Sequence, residues 1–590
     1  MSRAVTQVSL DMPTKSLKEW SPDVLSSICD YCDRDTLVQL SRTCRTLSTP
    51  AFRHIWHTLN GFVPLFETLP QDALEYYNES LDHSVRVTPV QLSLTIKVLS
   101  FQTVTCDLTA SDVSRFRMYA TFVRHVDSKP TFKPKRVSLH AWYALERANP
   151  GYLKNLRSLG YRELRVSDVT RTSPFHFLLG PRLEVLRVSL HRRGPKSYLS
   201  SKSDPVDPTL IDFLVSLPRS CPLVRSLTLS VSPGTAYARH ALADAVCLLP
   251  HLTTLSVVGI PLLPHALCHL SALSSLTDLS MDARRRDYGG TATSCNPHHV
   301  RSFPALETLS IFGDTVDCPL EVLSISRPPR LVRLNVGMHA SATRFASLAR
   351  ALPSLPFRTS LTQLRITLMA SSCDHSSEAI PLAAFSPLFT LSRLCDIRVT
   401  GHCYVVLNDH ALTEMAHAWP QLRIAHLCQD ESWPTLDATD NLPTIAGLVE
   451  FARRCPLLDR FVIAMRDVRR EDIDAVLALA PPRLVDPSTF APVTPCALTI
   501  LGVGRATVEE EDAAPFAAAL STLFPALRQL WHQWDHPALG EPGLEDTQEA
   551  ILTGRWGQIA EATRAFAQVR RQEQKWALKQ RRAAQGQSGA

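Results

Sequence analysis

One pattern limits this chain more than any other. The run Leu-x-x-Leu-x-[Val/Ile/Leu] recurs along it, usually just after a proline. Copies are Leu183-Leu186-Val188, Val224-Leu227-Leu229, Leu252-Leu255-Val257, Leu276-Leu279-Met281, Leu306-Leu309-Ile311, Leu331-Leu334-Val336, Leu361-Leu364-Ile366 and Leu394-Ile397-Val399. Weaker ones follow at Leu422-Ala425-Leu427, Leu458-Phe461-Ile463, Leu498-Leu501-Val503 and Leu527-Leu530. Starts lie 24 to 41 residues apart. A further match, Leu320-Leu323-Ile325, is too close to its neighbours to be a full unit. The intervals have a helical period, as in Leu412, Met415, Ala416 and Trp419, or Ile445, Leu448, Ala452 and Cys455. Phe345, Leu348 and Leu352 approximate it. Each unit therefore reads as helix, turn and short strand. The strand buries alternate residues and shows the others. No unit can bury its own apolar face, so the units must stack into an α/β solenoid.

The chain has 590 residues, too many for one compact core. An apolar fraction of 45% with 20% charged residues is that of a folding chain. A net charge of +6 is mild for this length and gives no reason to expect nucleic acid. No charged segment followed by an apolar run opens the sequence, and no run of about 18 apolar residues follows. Fifteen scattered cysteines, an odd number, suggest free thiols in a reducing compartment. An intracellular location, cytoplasmic or nuclear, is expected, with no membrane partner.

The stretch Ser21–Leu47 (SPDVLSSICDYCDRDTLVQLSRTCRTL) stands apart from the repeats. Ser21-Pro22-Asp23 is a helix start, with a hydroxyl cap, a first-turn proline and an acid at the positive end of the dipole. Leu25, Ile28, Cys29 and Cys32 then share one helical face. Asp33 and Asp35 can cap a second helix, where Leu37, Leu40, Ser41 and Cys44 repeat the spacing. Thr49-Pro50 reads as the restart of a third, with Phe52, Ile55 and Trp56 on one side. Three short helices hold too little core to stand alone, so the module should lean on something else. Cys29, Cys32, His54 and His57 supply two thiols and two imidazoles, which could suit zinc. Their 21-residue spacer is long for a finger, and both cysteines sit on the apolar face, where thiols act as small hydrophobes.

This stretch resembles the F-box, the helical module that joins many eukaryotic proteins to cullin-based ubiquitin ligases. Trp20-Ser21-Pro22-Asp23-Val24-Leu25 matches the family's opening, and Ile28, Tyr31, Asp33, Leu37, Leu40, Cys44 and Arg45 follow in order. The sequence departs at Trp20 or Ser21, where leucine is usual, and at Asp23, Cys32, Thr43 and Leu47. The repeats resemble leucine-rich repeats in their longer, ribonuclease-inhibitor-like form. Such repeats follow the F-box in many of these proteins, including the variable receptors of expanded families such as those of fungi. The resemblance implies an α/β architecture: a short three-helix F-box, then a leucine-rich-repeat solenoid with a curved parallel sheet inside and helices outside, then a basic C-terminal helix. It implies a substrate-recognition subunit that docks on a Skp-type adaptor, and through it a cullin. Adaptor contact would fall among Pro22, Asp23, Val24, Leu25, Ile28, Leu37, Leu40, Ser41 and Cys44. The alternative is a non-ligase repeat scaffold whose F-box is degenerate.

Neither reading asks for a catalytic residue, a cofactor or a metal. The sequence has no phosphate-cradling Gly-x-x-x-x-Gly-Lys-[Ser/Thr], no His-Glu-x-x-His and no Gly-x-Ser-x-Gly. His298-His299, beside Pro297, read as loop histidines, and Cys221 and Cys455, each before a proline, as core. Binding should fall on the outward strand positions, where the middle x residues of adjacent copies are Asn335, Arg365, Arg398 and His426. Arg365 and Arg398 should stand side by side, an unfavourable placement unless offset. Either they grip a carboxylate or phosphate of a protein substrate, or Asp396 on the same strand neutralises them.

The expected organisation is a disordered 1–15, an F-box over 16–60, irregular first repeats or a cap over 61–150, the array over 151–535, and a basic, partly disordered helical tail over 536–590. In the 61–150 zone Val85–Val87, Val90–Leu94 and Arg136–Leu139 alternate like strands. Ser200–Pro205 and Gly289–Pro297 read as loops. Glu549–Gln580 looks helical, with Ile551, Ile559, Phe566 and Val569 among its apolar positions. Its basic end (Arg570, Arg571, Lys575, Lys579, Arg581, Arg582) suits a nuclear signal, an acidic-partner site or a solvated, frayed tail, with Gln585–Ala590 disordered.

Overall fold

The computed structural model describes residues 20–587 apart from 81–97, 105–106, 128–134, 138, 149–150, 152, 163–177, 191–207, 232–237, 284–302, 314, 340–341, 370–377, 402, 428–441, 480–496, 505 and 533–547. The expectations for residues 1–15, Val85–Val87, Val90–Leu94, the loops at 200–205 and 289–297, and His298-His299 lie outside the described residues. The chain divides into two compact units, Met1–Ala266 and Leu267–Ala590.

The N-terminal unit opens with helices α1 (Pro22–Asp30), α2 (Arg34–Thr43) and α3 (Arg45–His57). Ser21 Oγ accepts from Val24 N at 3.3 Å, and Asp33 Oδ1 accepts from Thr36 N at 2.8 Å. The third helix begins at Arg45, not at Thr49-Pro50. Cys44 is extended (φ −152°, ψ 156°), which ends α2, and its carbonyl accepts from Ser48 N to close the first turn of α3. Pro50 therefore lies inside α3, where its missing N–H leaves the Thr46 carbonyl without a helical donor. Cys44 is then a junction rather than the last residue of the α2 face.

α3 runs straight into the strand Thr58–Leu59, which pairs in parallel with His125–Asp127. The ladder continues through Ser158–Arg162, Val185–Leu190, Ser226–Val231 and Thr254–Val258, all parallel. Trp56 stacks on Tyr119 (ring centroids 4.4 Å apart) and Phe52 meets the same ring edge-on at 5.6 Å. The support a small module needs comes from the repeat beside it. A small sheet is added to this unit, with Leu74–Ser80 antiparallel to Val98–Val104 and the latter parallel to Lys135–Val137.

In the C-terminal unit the strands Asp278–Asp282, Thr308–Gly313, Arg333–His339, Gln363–Met369, Asp396–Gly401, Ile424–His426, Arg460–Val462, Ile500–Gly502 and Gln529–Trp531 form a parallel ladder. Register follows the motif: Leu309, Leu334, Leu364, Ile397, Ala425, Phe461, Leu501 and Leu530 are successive partners. The leucine before each strand is buried too, as at Leu306, Leu331, Leu361 and Leu394. The residue after it offers one carbonyl to two N–H groups of the next repeat: Val332 O to Thr362 and Gln363, Thr362 O to Cys395 and Asp396. Backbone bonding thus continues one position beyond each strand.

Helices such as Ala342–Ala351, Asp409–Ala418, Ile445–Arg454 and Glu510–Leu523 connect these strands. Their apolar faces are buried, including Phe345, Leu348, Met415, Trp419, Leu448 and Ala452. The out-of-step copy Leu320-Leu323-Ile325 belongs to the helix Asp317–Ser326. A Leu-x-x-Leu spacing is also one helical turn, so the motif alone does not separate the two. Gly401 ends its strand at φ 102°, where an added Cβ would sit 1.9 Å from Leu368 O. The described residues thus form a mixed α/β solenoid of repeating parallel strands and helices, the arrangement of a leucine-rich-repeat array.

The tail is helical, as its period predicts, but the helix Gln548–Gln587 takes in Gln585–Gln587, which the sequence reads as disordered, and of the apolar positions Ile551, Ile559, Phe566 and Val569 only Ile559 is buried. Its first half is docked. Leu552, Trp556, Ile559 and Ala567 are buried, Trp556 Nε1 donates to Ala506 O at 3.0 Å, and Arg570 donates to Ala518 O at 3.2 Å. The helix covers the last repeat, whose apolar side would otherwise face water.

Candidate functional site: the strand face and the N-terminal helices

The outward positions of the C-terminal ladder form one register column. Ser310, Asn335, Arg365, Arg398 and His426 are successive partners; the register continues through Val462 and Gly502, both buried, with Val462 clustered against Leu442 and Ala464, to the exposed Trp531. Asn335 Nδ2 donates to Ser310 Oγ at 2.8 Å. Arg365 and Arg398 are direct partners, separated by the inter-strand spacing of about 4.8 Å. Asp396, whose side chain is 8% exposed, lies between their head groups. Its carboxylate accepts from Arg398 Nε at 2.9 Å and Nη2 at 3.2 Å, and from Arg365 Nη2 at 3.4 Å.

One carboxylate faces two guanidinium groups, so a local surplus of one positive charge remains. The Arg365 side chain is still 45% exposed. It is held at one end and open at the other, an arrangement suited to a further anionic acceptor. Thr367 and Thr400, partners one pleat further on, approach to 3.5 Å through their hydroxyls. At the far end the Trp531 and His426 rings lie 6.4 Å apart, tilted 58°. The residues between them in the column are Val462 and Gly502, and a Cβ on Gly502 would come 2.5 Å from Val462 Cγ1. Sequence reasoning missed Trp531. Extending the same outward column past His426 would have reached it, since it follows Leu530 of the final copy.

At the N-terminal helices, the nine residues implicated by resemblance separate into three groups. Leu25 and Leu37 are buried; Leu37 packs in a cluster with Cys29 and Ala51, with Cys32, Leu40 and Ile55 against it. Pro22, Asp23 and Val24 are exposed, and Ile28, Leu40, Ser41 and Cys44 are half-buried. Ser41 Oγ donates to Val38 O at 2.7 Å. Tyr31, 92% exposed, caps α1 in a turn conformation that swings it off the apolar face. With Trp20 and Val24 it is one of the large apolar side chains that this module exposes.

The candidate zinc ligands have other partners. Cys29 is buried, Cys32 Sγ donates to Ile28 O at 3.3 Å, His54 lies 3.1 Å from Ser26 Oγ and 3.4 Å from Asp30, and His57 is 3.2 Å from Thr58 Oγ1. Among the described residues, no group of three or more His, Cys, Asp or Glu side chains is placed to hold a metal ion. Burial pushes the Cys221 thiol up to about 12, which keeps it protonated. No described helix is long and apolar enough to cross a membrane.

No protein-family model matches the chain, and no curated protein matches it in sequence. Among solved structures it is similar to an internalin from Listeria monocytogenes, at 10% identity over 73% of this chain and 86% of that one, TM-score 0.29. It is also similar to the plant peptide hormone receptor RGFR1 in complex with RGF2, at 12% identity over 73% and 67%, TM-score 0.27. A third similarity is to the LRIM1/APL1C complex, at 13% identity over 82% and 71%, TM-score 0.25. Overlaps this loose say nothing about what the chain binds.

Proposed function

We propose that this chain is a leucine-rich-repeat interaction scaffold that captures a protein partner on the outward strand face of its C-terminal ladder. The column Asn335–Arg365–Arg398–His426 carries the reading. It aligns donors at the inter-strand spacing, leaves one positive charge uncompensated, and ends in His426, whose ring lies 6.4 Å from that of the half-exposed Trp531. An acidic or phosphorylated partner segment suits it, because guanidinium forks bind both groups. A peptide array containing glutamate-rich, phosphoserine and neutral segments tests this against the intact chain and the double variant Arg365→Ala/Arg398→Ala. Selective capture of anionic segments, lost in the double variant, is expected. Equal capture by both proteins would discard the strand face as the site.

A second reading is favoured by the N-terminal helices. α1 presents Pro22, Asp23 and Val24 outward while Leu25 and Cys29 seal the interior, and Tyr31 adds an exposed ring. This supports docking on a Skp-type adaptor and thence a cullin, which would make the scaffold a ubiquitin-ligase substrate receptor. Catalysis would then be by proximity, with the partner's lysine held near a charged ubiquitin carrier. Co-expression with such an adaptor, followed by size-exclusion chromatography, separates the two readings. The informative variant is Val24→Asp, because Val24 is 48% exposed and its change spares the core. Co-elution abolished by that variant would support the receptor. No co-elution of the folded chain would leave the scaffold alone.

A further inference from the structure

The N-terminal unit holds a second charged feature, where α3 meets the first strands of its ladder. Arg124 and Arg157 occupy the same place in consecutive repeats, one residue before their strands. Each gives its backbone carbonyl to the repeat that follows: Arg124 O accepts from Arg157 N at 2.8 Å, and Arg157 O from Glu184 N at 2.8 Å. Their Cα atoms are therefore set one strand apart, about 4.8 Å. Arg182 lies on the adjoining turn. Arg53 comes from α3, and the ring of His57 at the end of that helix lies 4.9 Å from the ring of His125.

Two of these arginines are fixed in an unusual way. Arg124 Nη1 donates to Thr121 O at 2.7 Å and to Val123 O at 3.2 Å. The Thr121 carbonyl also accepts from Asn155 Nδ2 at 3.0 Å, and Asn155 Oδ1 accepts from Arg182 Nη1 at 3.0 Å. A carbonyl and an amide thus tie the two guanidinium groups into one chain. Both acceptors are neutral, so they orient the charges without cancelling them. Among the described residues, the carboxylate in ion-pair range of these arginines is Glu184, 3.9 Å from Arg157. Burial and then the neighbouring Arg157, Arg182 and Arg53 push the Arg124 guanidinium down from its ordinary value, with no acid offsetting them. Burial and then His125, Arg124, His54 and Arg157 push His57 down as well. A set of like charges held together this way costs stability unless an anion completes it.

We propose that Arg124, Arg157 and Arg182, with Arg53, form a preorganised anchor for an anionic peptide segment carrying closely spaced carboxylate or phosphate groups. Nucleic acid fits less well. Affinity for it grows with the number of phosphates neutralised, and four arginines around two turns span a short ligand. The described aromatic rings nearby are also engaged, Trp56 stacking on Tyr119.

Fluorescence anisotropy on the full chain tests this with four labelled probes: a glutamate-rich decapeptide, a phosphoserine peptide, their glutamine counterpart and a single-stranded oligonucleotide of equal charge. Arg157→Glu/Arg182→Glu is the main variant, because both side chains are exposed. Arg157→Gln/Arg182→Gln removes charge without adding repulsion, and thermal unfolding checks that both fold. Arg365→Ala/Arg398→Ala separates this anchor from the strand face. The expected result is salt-sensitive binding of one or both anionic peptides over the glutamine peptide. It should weaken about tenfold or more in both Arg157/Arg182 variants and stay unchanged in the Arg365/Arg398 variant. The ratio of glutamate-rich to phosphoserine affinity identifies the source of the anion. Unchanged affinity in folded Arg157/Arg182 variants, absence of binding at low salt, or preference for the oligonucleotide would each overturn the proposal.

Discussion

At the scale of single residues, charge placement dominates. Asp396 is nearly buried and is the acceptor that lets Arg365 and Arg398 stand as direct partners. Asp396→Ala should cost about 2 kcal/mol, less than a fully buried pair would, because both guanidinium groups keep access to solvent. Urea denaturation reads this directly, and adding Arg365→Ala should recover part of the loss by removing one of the two repelling charges. Two histidines impose a pH dependence. His57 is pushed down chiefly by burial and then by its cationic neighbours, and His269 by burial, its Nε2 lacking a hydrogen-bond partner. A histidine whose folded pKa is lowered binds protons more readily when unfolded. Its neutral form supports the fold fully above the unfolded value of about 6.5, and that support is lost as pH falls through the window below it. The melting temperature should therefore drop between pH 7.5 and 5, and His57→Gln/His269→Gln should flatten the slope. An equal slope in that variant would assign the dependence to other groups.

At the scale of elements, the ends of the ladders matter most. The helix Gln548–Gln587 anchors itself on the last repeat through Trp556, fully buried and donating to Ala506 O. Trp556→Ala should destabilise by about 3–5 kcal/mol, as large-to-small changes at buried aromatics do. Hydrogen exchange should show the loss in Glu510–Leu523 first, since that helix carries the opposing face. Exchange rising equally in the strands 308–339 would mean that the cap acts on the whole unit instead. The helical period of 549–580 was legible in the sequence, but its docked face was not, because docking depends on which apolar residues share a face with the neighbouring repeat. Leu552, Trp556, Ile559 and Ala567 do so at spacings of four, three and eight residues. α3 shows the same difference. Its apolar side was legible as Phe52, Ile55 and Trp56, but its start was not, because the proline signal at Pro50 outweighed the extended Cys44 that sets the boundary.

At the scale of the whole molecule, the chain has two compact units, and each repeat touches mainly its neighbours. Such arrays unfold as linked segments rather than all at once. Urea titrations followed by tryptophan fluorescence and by far-ultraviolet circular dichroism should therefore give non-coincident transitions. Trp142 reports on the N-terminal unit, Trp419 and Trp556 on the C-terminal one. Superimposable curves, unchanged in a Trp142→Phe variant, would show a single cooperative block.

The repeat is written in local spacing alone. Leucines at fixed spacing must lie inward, so the strands from Val185 on, their register and the Asn335–Arg365–Arg398–His426 column could be read from it, whereas the first ladder strands, Thr58–Leu59, His125–Asp127 and Ser158–Arg162, could not. Local spacing also carried the caps of α1 and α2, because Ser21 and Asp33 act on residues three positions away. Long-range packing settled which residues of the N-terminal helices are buried and which stay exposed, how Asp396 is shared between two arginines, and that Arg53, Arg124, Arg157 and Arg182 come together. Those outcomes depend on contacts between residues tens of positions apart, and a local pattern contains no term for them.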